Sequence, residues 1–295
     1  MKFWRDLLRR LTSLTIISVL IMTLFSSIAY AKKDQITDKQ IDSILQQAGV
    51  PQFLMNELDI GTKRFIVENS GDDLQYIGSS KQYFSRNIES GLLEEVDNVN
   101  PPGEMTTMAI LDADLSLIPI HFNSTYNGVS MVDIYSSFEW LRNPKTGPDG
   151  INKDHIAIAV PNGWEIQSGR YACAAQKYDY SLNQGWHWSA PNSSWCGDNG
   201  QPTAFGGLYG AAWEFISQGS GDVATPFVKY KGTAKLTMKK VSSTAIKRIL
   251  TSYNEASSSY WGNYSVTIGW GAASVTFTPT AGTADQKEED YTWVN

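Results

Sequence analysis

The side chains able to do chemistry are few and widely spaced along the 295 residues. Three histidines, His121, His155 and His187, lack the H-E-x-x-H spacing that sets two ligands on one helical turn, so no shared metal site is expected. Asp149, Asn152 and Asp154 lie close together without the regular acidic spacing or closing Glu of a calcium loop, and read as a solvated turn. Hydrolysis of a glycan needs two carboxyl groups facing one cleft, one of them kept protonated by apolar surroundings. Glu139 beside Trp140 and Glu214 beside Trp213 have such neighbours, with Asp133 on the same strand face as Glu139. Any β-rich chain offers pairs of this kind, so no catalytic residue is assigned and an enzyme is the less favoured expectation. No G-x-S-x-G elbow, P-loop or G-x-G-x-x-G after a strand occurs, which leaves serine-hydrolase and nucleotide chemistry without support and implies no cofactor.

The densest feature runs from Cys173 to Cys196 and holds Tyr178, Tyr180, Trp186, His187, Trp188 and Trp195, with Trp213 beyond. Aromatic faces at a surface stack on the apolar C–H faces of sugar rings, so Tyr178, Tyr180, Trp186, Trp188 and Trp195 form a candidate ligand-binding surface for a cell-wall or extracellular glycan. The plainer alternative is that Trp186 and Trp188, two apart, share a strand face and cover a disulfide as core. Cys173 and Cys196 sit in no C-x-x-C pair or nucleophile signature and are expected to bond to each other in an oxidising compartment. Lys229, Lys231, Lys235, Lys239, Lys240, Lys247 and Arg248 form a local basic stretch. Alternating lysines usually guard a sheet edge, and contact with anionic wall polymers or lipid headgroups is the functional alternative. Between Tyr264 and Gly282 apolar residues alternate with Ser and Thr and no residue is charged. Such a hairpin suits either a core strand pair or the membrane barrel of a toxin.

An address for these features comes from the first 31 residues. Four cations lie in Met1 to Arg10, an apolar tract diluted only by Ser and Thr runs from Leu11 to Ile28, and Ala29-Tyr30-Ala31 is an A-x-A cleavage site. A cleaved signal peptide and a secreted, extracellular product are expected, with no membrane-spanning helix after Ile28. The whole chain carries 24 basic and 30 acidic residues, and removing Lys2, Arg5, Arg9, Arg10 and Asp6 leaves 20 against 29. That acidity repels a phosphate backbone and excludes a nucleic-acid partner.

The elements that must hold these residues divide at Pro101-Pro102-Gly103. Residues 32–100 read as a helical N-terminal segment: Thr37 with Gln40 forms a capping box, Ile41, Ile44, Leu45 and Ala48 follow at helical spacing, and further stripes include Ile88, Leu92, Leu93 and Val96. Residues 101–295 read as a β-rich domain. Period-two alternation recurs at 111–117, 132–140, 156–160, 234–238, 266–270 and 275–277, with turn signals at Tyr126-Asn127-Gly128, Pro148-Asp149-Gly150, Pro161-Asn162-Gly163 and Asp198-Asn199-Gly200. The exception is 242–253, whose Ala245, Ile246, Ile249 and Leu250 suit a single helix. The expected class is mainly β with a helical N-terminal segment, an antiparallel sandwich-like domain.

The layout carried by Ala29-Tyr30-Ala31, Phe138-Glu139-Trp140 and the closing β stretch resembles exported β-rich proteins of Gram-positive bacteria with no assigned activity. That resemblance implies an address and no chemistry. The sequence therefore points first to a secreted, non-catalytic binding or envelope-associated β domain, second to a secreted membrane-active toxin or bacteriocin-like protein, and third to a glycan hydrolase.

Overall fold

The computed structural model describes residues 36–87, 93–96, 114–141, 151–181, 183, 185–205, 209–218, 229–256, 264–269, 274–279 and 284–292. The proposed signal segment, the Pro101-Pro102-Gly103 break and the Pro148-Asp149-Gly150 turn lie outside them. The chain divides into two compact units, 1–40 and 41–295. In the first, the Gln40 side chain accepts from the Thr37 backbone N–H at 2.8 Å and the Thr37 hydroxyl accepts from the Gln40 N–H at 3.4 Å, which is the capping box the sequence indicates.

Helices α1 (Asp38–Gln47), α2 (Gln52–Glu57) and α3 (Ile60–Asn69) precede all the described strands. The strands are β1 (Asp72–Ser79), β2 (Gln82–Arg86), β3 (Leu93–Val96), β4 (Leu115–Tyr126), β5 (Val129–Trp140), β6 (Ile151–Ala159), β7 (Trp164–Ser181) and β8 (Gly185–Trp188). After them come β9 (Ala204–Phe205), β10 (Gly210–Gln218), β11 (Lys229–Lys240), β12 (Arg248–Ala256), β13 (Tyr264–Gly269), β14 (Ser274–Pro279) and β15 (Ala284–Thr292). The protein is mainly antiparallel β, with its helices toward the N-terminal part.

Two sheets make the sandwich. The first runs β3-β2-β4-β5-β11-β7-β8, with β1 also on β4, and the second runs β15-β12-β6-β10-β9. Strand alternation sends one face of each sheet inward. Leu115, Leu117, Ile134, Phe138, Trp140, Leu236 and Met238 from the first sheet meet Ile156, Ile158, Trp213, Phe215, Ile249 and Tyr253 from the second, all at most 1% exposed. Phe138 sits at the middle of this core, with the rings of Phe215, Tyr253 and Tyr230 centred 5.1, 5.2 and 5.3 Å away. Gly232 is required here, because a Cβ on it would strike both Phe215 and Phe138. The β4–β5 connection is the two residues Asn127 and Gly128, with φ of 51° and 77°, the left-handed pair that matches strand twist.

The opposite face of the first sheet is also buried, beneath the helices. The Tyr135 ring lies 6.2 Å from Phe65 and 5.9 Å from Phe122, and its hydroxyl donates to the Ile66 carbonyl at 3.0 Å. Two expectations change as a result. First, β11 is an interior strand, paired on both sides with β5 and β7, so its lysines guard no edge. Second, residues 72–79, 82–86 and 93–96 within the expected helical segment are strands, and 248–256 form β12, not a helix. In β12, Ile249, Thr251 and Tyr253 face one way and Leu250, Ser252 and Asn254 the other, all buried. With no wet face, the period of two leaves no polar alternation to read.

Candidate functional site

The aromatic cluster lies at the β8 edge of the first sheet, on the face the helices partly cover. Register pairs Tyr178 with Trp188 and Tyr180 with Trp186, which puts these positions on one side of β7 and β8. The rings of Tyr178 and Trp186 stack at 5.8 Å and 13°, and Trp188 meets Tyr178 edge-on at 5.2 Å. Trp186 is 47% exposed, whereas Tyr178 and Trp188 are half-buried. The Tyr180 side chain lies outside the described residues.

Trp188 has its ring face occupied. The Lys231 ammonium, on β11, sits 3.8 Å from its centroid. Lys231 also pairs with Asp59 at 2.6 Å. Asp59 is there because it caps α3, accepting from the backbone N–H of Gly61 at 2.9 Å and of Thr62 at 3.4 Å. Gln176 donates to Asp59 at 3.1 Å and to the Ser189 carbonyl at 3.0 Å, tying the cap to β7 and to the segment after β8. Burial pushes the Asp59 pKa up, but the Lys231 charge and the hydrogen bonds from Lys231, Thr62 and Gln176 outweigh it and hold the carboxyl below its ordinary value. Burial also lowers the Lys231 pKa, against the raising effect of Asp59 and Glu139. The sequence left this foundation unread. Its one signal is Asp59 standing directly before a helical run, with Gly61 small because a Cβ there would collide with Gln176.

The remaining aromatic candidate is separated from the cluster. Trp195 packs on the inner core side, with Lys177 4.2 Å from its ring centroid. Cys173 and Cys196 are bonded, as expected, with Cα atoms 6.1 Å apart. Cys173 also faces the core, so Trp186 and Trp188 do not cover the disulfide. They occupy the other face of the sheet.

The carboxylates do not converge. Asp133, fully buried, accepts from the Tyr126 hydroxyl at 2.8 Å and from Thr237 at 2.6 Å, and pairs with Lys235 at 3.1 Å. Glu139 shares that outer face of the first sheet, whereas Glu214 lies on the outer face of the second, 3.5 Å from His155. The whole core stands between them, so they cannot flank one glycosidic bond. Asp154 is no part of a solvated turn: it is buried on β6 and accepts from the Trp140 indole N–H at 3.0 Å. His121 is buried on β4, His155 is on β6 and His187 is on β8, and no metal-binding cluster occurs among the described residues. No described helix is long and apolar enough to cross a membrane.

One further element stands apart from the sandwich. β13 and β14 form a separate two-stranded sheet. Their register pairs Val266 with Phe277 and Ile268 with Val275, while Thr267 pairs with Thr276 and Ser265 with Thr278. The register thus sets the apolar positions opposite one another and the Ser and Thr positions opposite one another. β14 touches β6, β12 and β15, and β13 touches β10, so the ribbon lies along the second sheet. The outer face of that sheet carries Ala157, Ala159, Ala212 and Leu250 beside buried His155, Ser252 and Asn254.

No family model and no curated protein matches the chain. Among solved structures it is similar to one described as a pore forming protein, at 9% identity over 60% of this chain and 86% of that one, with a TM-score of 0.29. A structure concerned with pH-induced modulation of Streptococcus parasanguinis adhesion by Fap1 fimbriae matches at 9% identity over 74% and 96%, TM-score 0.28. Clostridium perfringens delta-toxin matches at 10% identity over 75% and 94%, TM-score 0.26. Likeness at this level leaves function to be argued from the residues of this chain.

Proposed function

We propose that this chain is an exported, non-catalytic protein that binds an extracellular surface, with a cell-wall or other extracellular glycan as the partner class, through Trp186 and its neighbours. The observation that carries this is an exposed indole held in place: Trp186 is 47% exposed on a four-residue edge strand and stacked on Tyr178. A ring whose orientation is fixed before binding loses little freedom when a sugar stacks on it. Trp188, with Lys231 over its ring, braces the group rather than offering a second face. Export is supported by the Ala29-Tyr30-Ala31 signal and by a disulfide, which persists in oxidising compartments. Binding rather than hydrolysis is supported by the placement of Glu139 and Glu214 on opposite outer faces of the sandwich.

The test is retention on cell-wall preparations and on a glycan array. Trp186→Ala should weaken binding about tenfold, equivalent to about 1.4 kcal/mol, while the far-ultraviolet dichroism of the folded sheet is retained. Equal binding by Trp186→Ala and the natural chain would remove this reading.

A further inference from the structure

Three features meet at one end of the sandwich. β11 begins at Lys229, which pairs with Tyr178, which in turn pairs with Trp188, so the aromatic cluster marks the starting end of β11. β12 finishes at that same end: Tyr253, near its close, and Tyr230, near the start of β11, both lie against Phe138. The opposite end is identified just as directly. There the Trp164 indole donates to the Ile246 carbonyl at 2.6 Å and the Val241 N–H to the Gly163 carbonyl at 2.9 Å, across the turn joining β11 to β12. The last pair of the β12–β15 ladder, Ala256 opposite Ala284, therefore sits at the aromatic end. Between these two alanines the chain makes its excursion through β13 and β14. From 256 to 284 it contains no charged residue, and the first acids on either side, Glu255 and Asp285, face each other at its base.

We infer that this end is a membrane-docking surface and that the β13–β14 ribbon is an element that leaves the second sheet and enters a phospholipid bilayer. The inference rests on the surface-binding reading of Trp186 and adds to its glycan a second surface, the bilayer, met at the same end of the sandwich. Indole and phenol rings favour the boundary between headgroups and acyl chains, where one part of the ring is apolar and the other hydrated. In sequence the uncharged stretch supplies roughly a dozen residues on each side of positions 270–273, and a transmembrane strand needs about 9–11. The register already sorts Val266, Ile268, Val275 and Phe277 onto one face and Thr267, Thr276 and Thr278 onto the other, as a lipid-facing and a water-facing surface require. The outer face of the second sheet is lined by Ala157, Ala159, Ala212 and Leu250 and by buried polar groups, where the central core has ring-to-ring packing around Phe138. A lone ribbon leaves two unpaired edges in hydrocarbon, so insertion requires several copies to close a barrel.

The experiment uses the disulfide-bonded chain and dye-loaded vesicles of zwitterionic phosphatidylcholine, which do not repel an acidic chain. The natural chain should release the dye. Replacing 257–283 by Asn-Gly, a two-residue turn suited to the antiparallel Ala256–Ala284 pair, should keep vesicle binding but cut release at least tenfold. Independently, a polarity-sensitive fluorophore on Ile268→Cys or Val275→Cys should shift to the blue on vesicles, and one on Thr267→Cys or Thr276→Cys should not; this arm stands even where the shortened chain does not fold. Absence of release by the natural chain, equal release by the shortened chain, or identical shifts at all four positions would each overturn the inference. Glycan binding without vesicle binding would sink the insertion step and leave the surface-binding reading standing. Unchanged binding by Trp186→Ala to glycans and vesicles alike would sink both.

Discussion

Acidification from about pH 7 to about pH 5 should cost the protein roughly 2 kcal/mol of stability, and His121 should account for it. His121 is fully buried on β4, paired in the ladder with Gly78 and Ile134, and burial pushes its pKa from 6.5 down to about 3. A base whose folded-state pKa is depressed stabilises the fold fully above its unfolded value. That contribution drains away as pH falls from 6.5 toward 3, because the unfolded chain takes up a proton that the folded chain refuses. At about pH 5 the unfolded imidazole is some thirtyfold more protonated than not, while the folded one is still neutral, and a thirtyfold bias is about 2 kcal/mol. Urea titrations at the two pH values measure the difference directly. His121→Leu, which removes the proton and keeps an apolar side chain, should flatten the profile over this range. The Asp59 contribution does not interfere: its depressed pKa makes it stabilising above the ordinary carboxylate value, 3.8, and it fades only as pH falls below that. Equal losses in His121→Leu and the natural chain between the two pH values would refute the reasoning.

Removing Lys235 leaves Asp133 as a buried charge without its cation, so Lys235→Met should destabilise by about 3–5 kcal/mol, whereas Lys235→Met with Asp133→Leu should regain most of the loss; chemical denaturation of the single and double variants decides. Gly232→Ala should cost about 1–3 kcal/mol by forcing apart the Phe138 and Phe215 rings, visible in the near-ultraviolet dichroism as well as in the melting temperature. Cys173→Ala with Cys196→Ala opens a loop of sequence separation 23 and should lower stability by roughly 3 kcal/mol, measured against the oxidised chain without reductant.

Much of the sandwich was legible from alternation alone. Strands with one wet face, or with one face of large side chains, announce themselves: 132–140 and 234–238 fall within β5 and β11, and 156–160 overruns the end of β6 by one residue. The tight turn at Asn127-Gly128 was legible because only residues tolerating positive φ make it. β12 escaped because the adjacent Ile249 and Leu250 put apolar side chains on both its faces, which helical spacing fits equally well. Lys231 and Lys235 misled for a related reason: a lysine seen in sequence reads as solvated, and nothing nearby announces that Asp59, 172 residues earlier, or Asp133, on β5, will neutralise it. Long-range charge pairing is a property of topology, not of local pattern. The aromatic group was half legible. Spacing by two put Trp186 and Trp188 on one face as found, but which face of the sheet they would take, and that Trp195 would take the other, depended on pairing order.

The position of β11 has a consequence for how the chain reaches this state. β5 ends at Trp140 and β7 at Ser181, yet they are joined only through β11, which starts at Lys229. A nascent chain emerging from its N-terminus therefore carries two long strands with unmet backbone groups until residues 229–240 arrive to zip them together. Chains halted before that point should be sticky and readily degraded. Closure by so late a strand places the protein among slow folders governed by contacts distant in sequence.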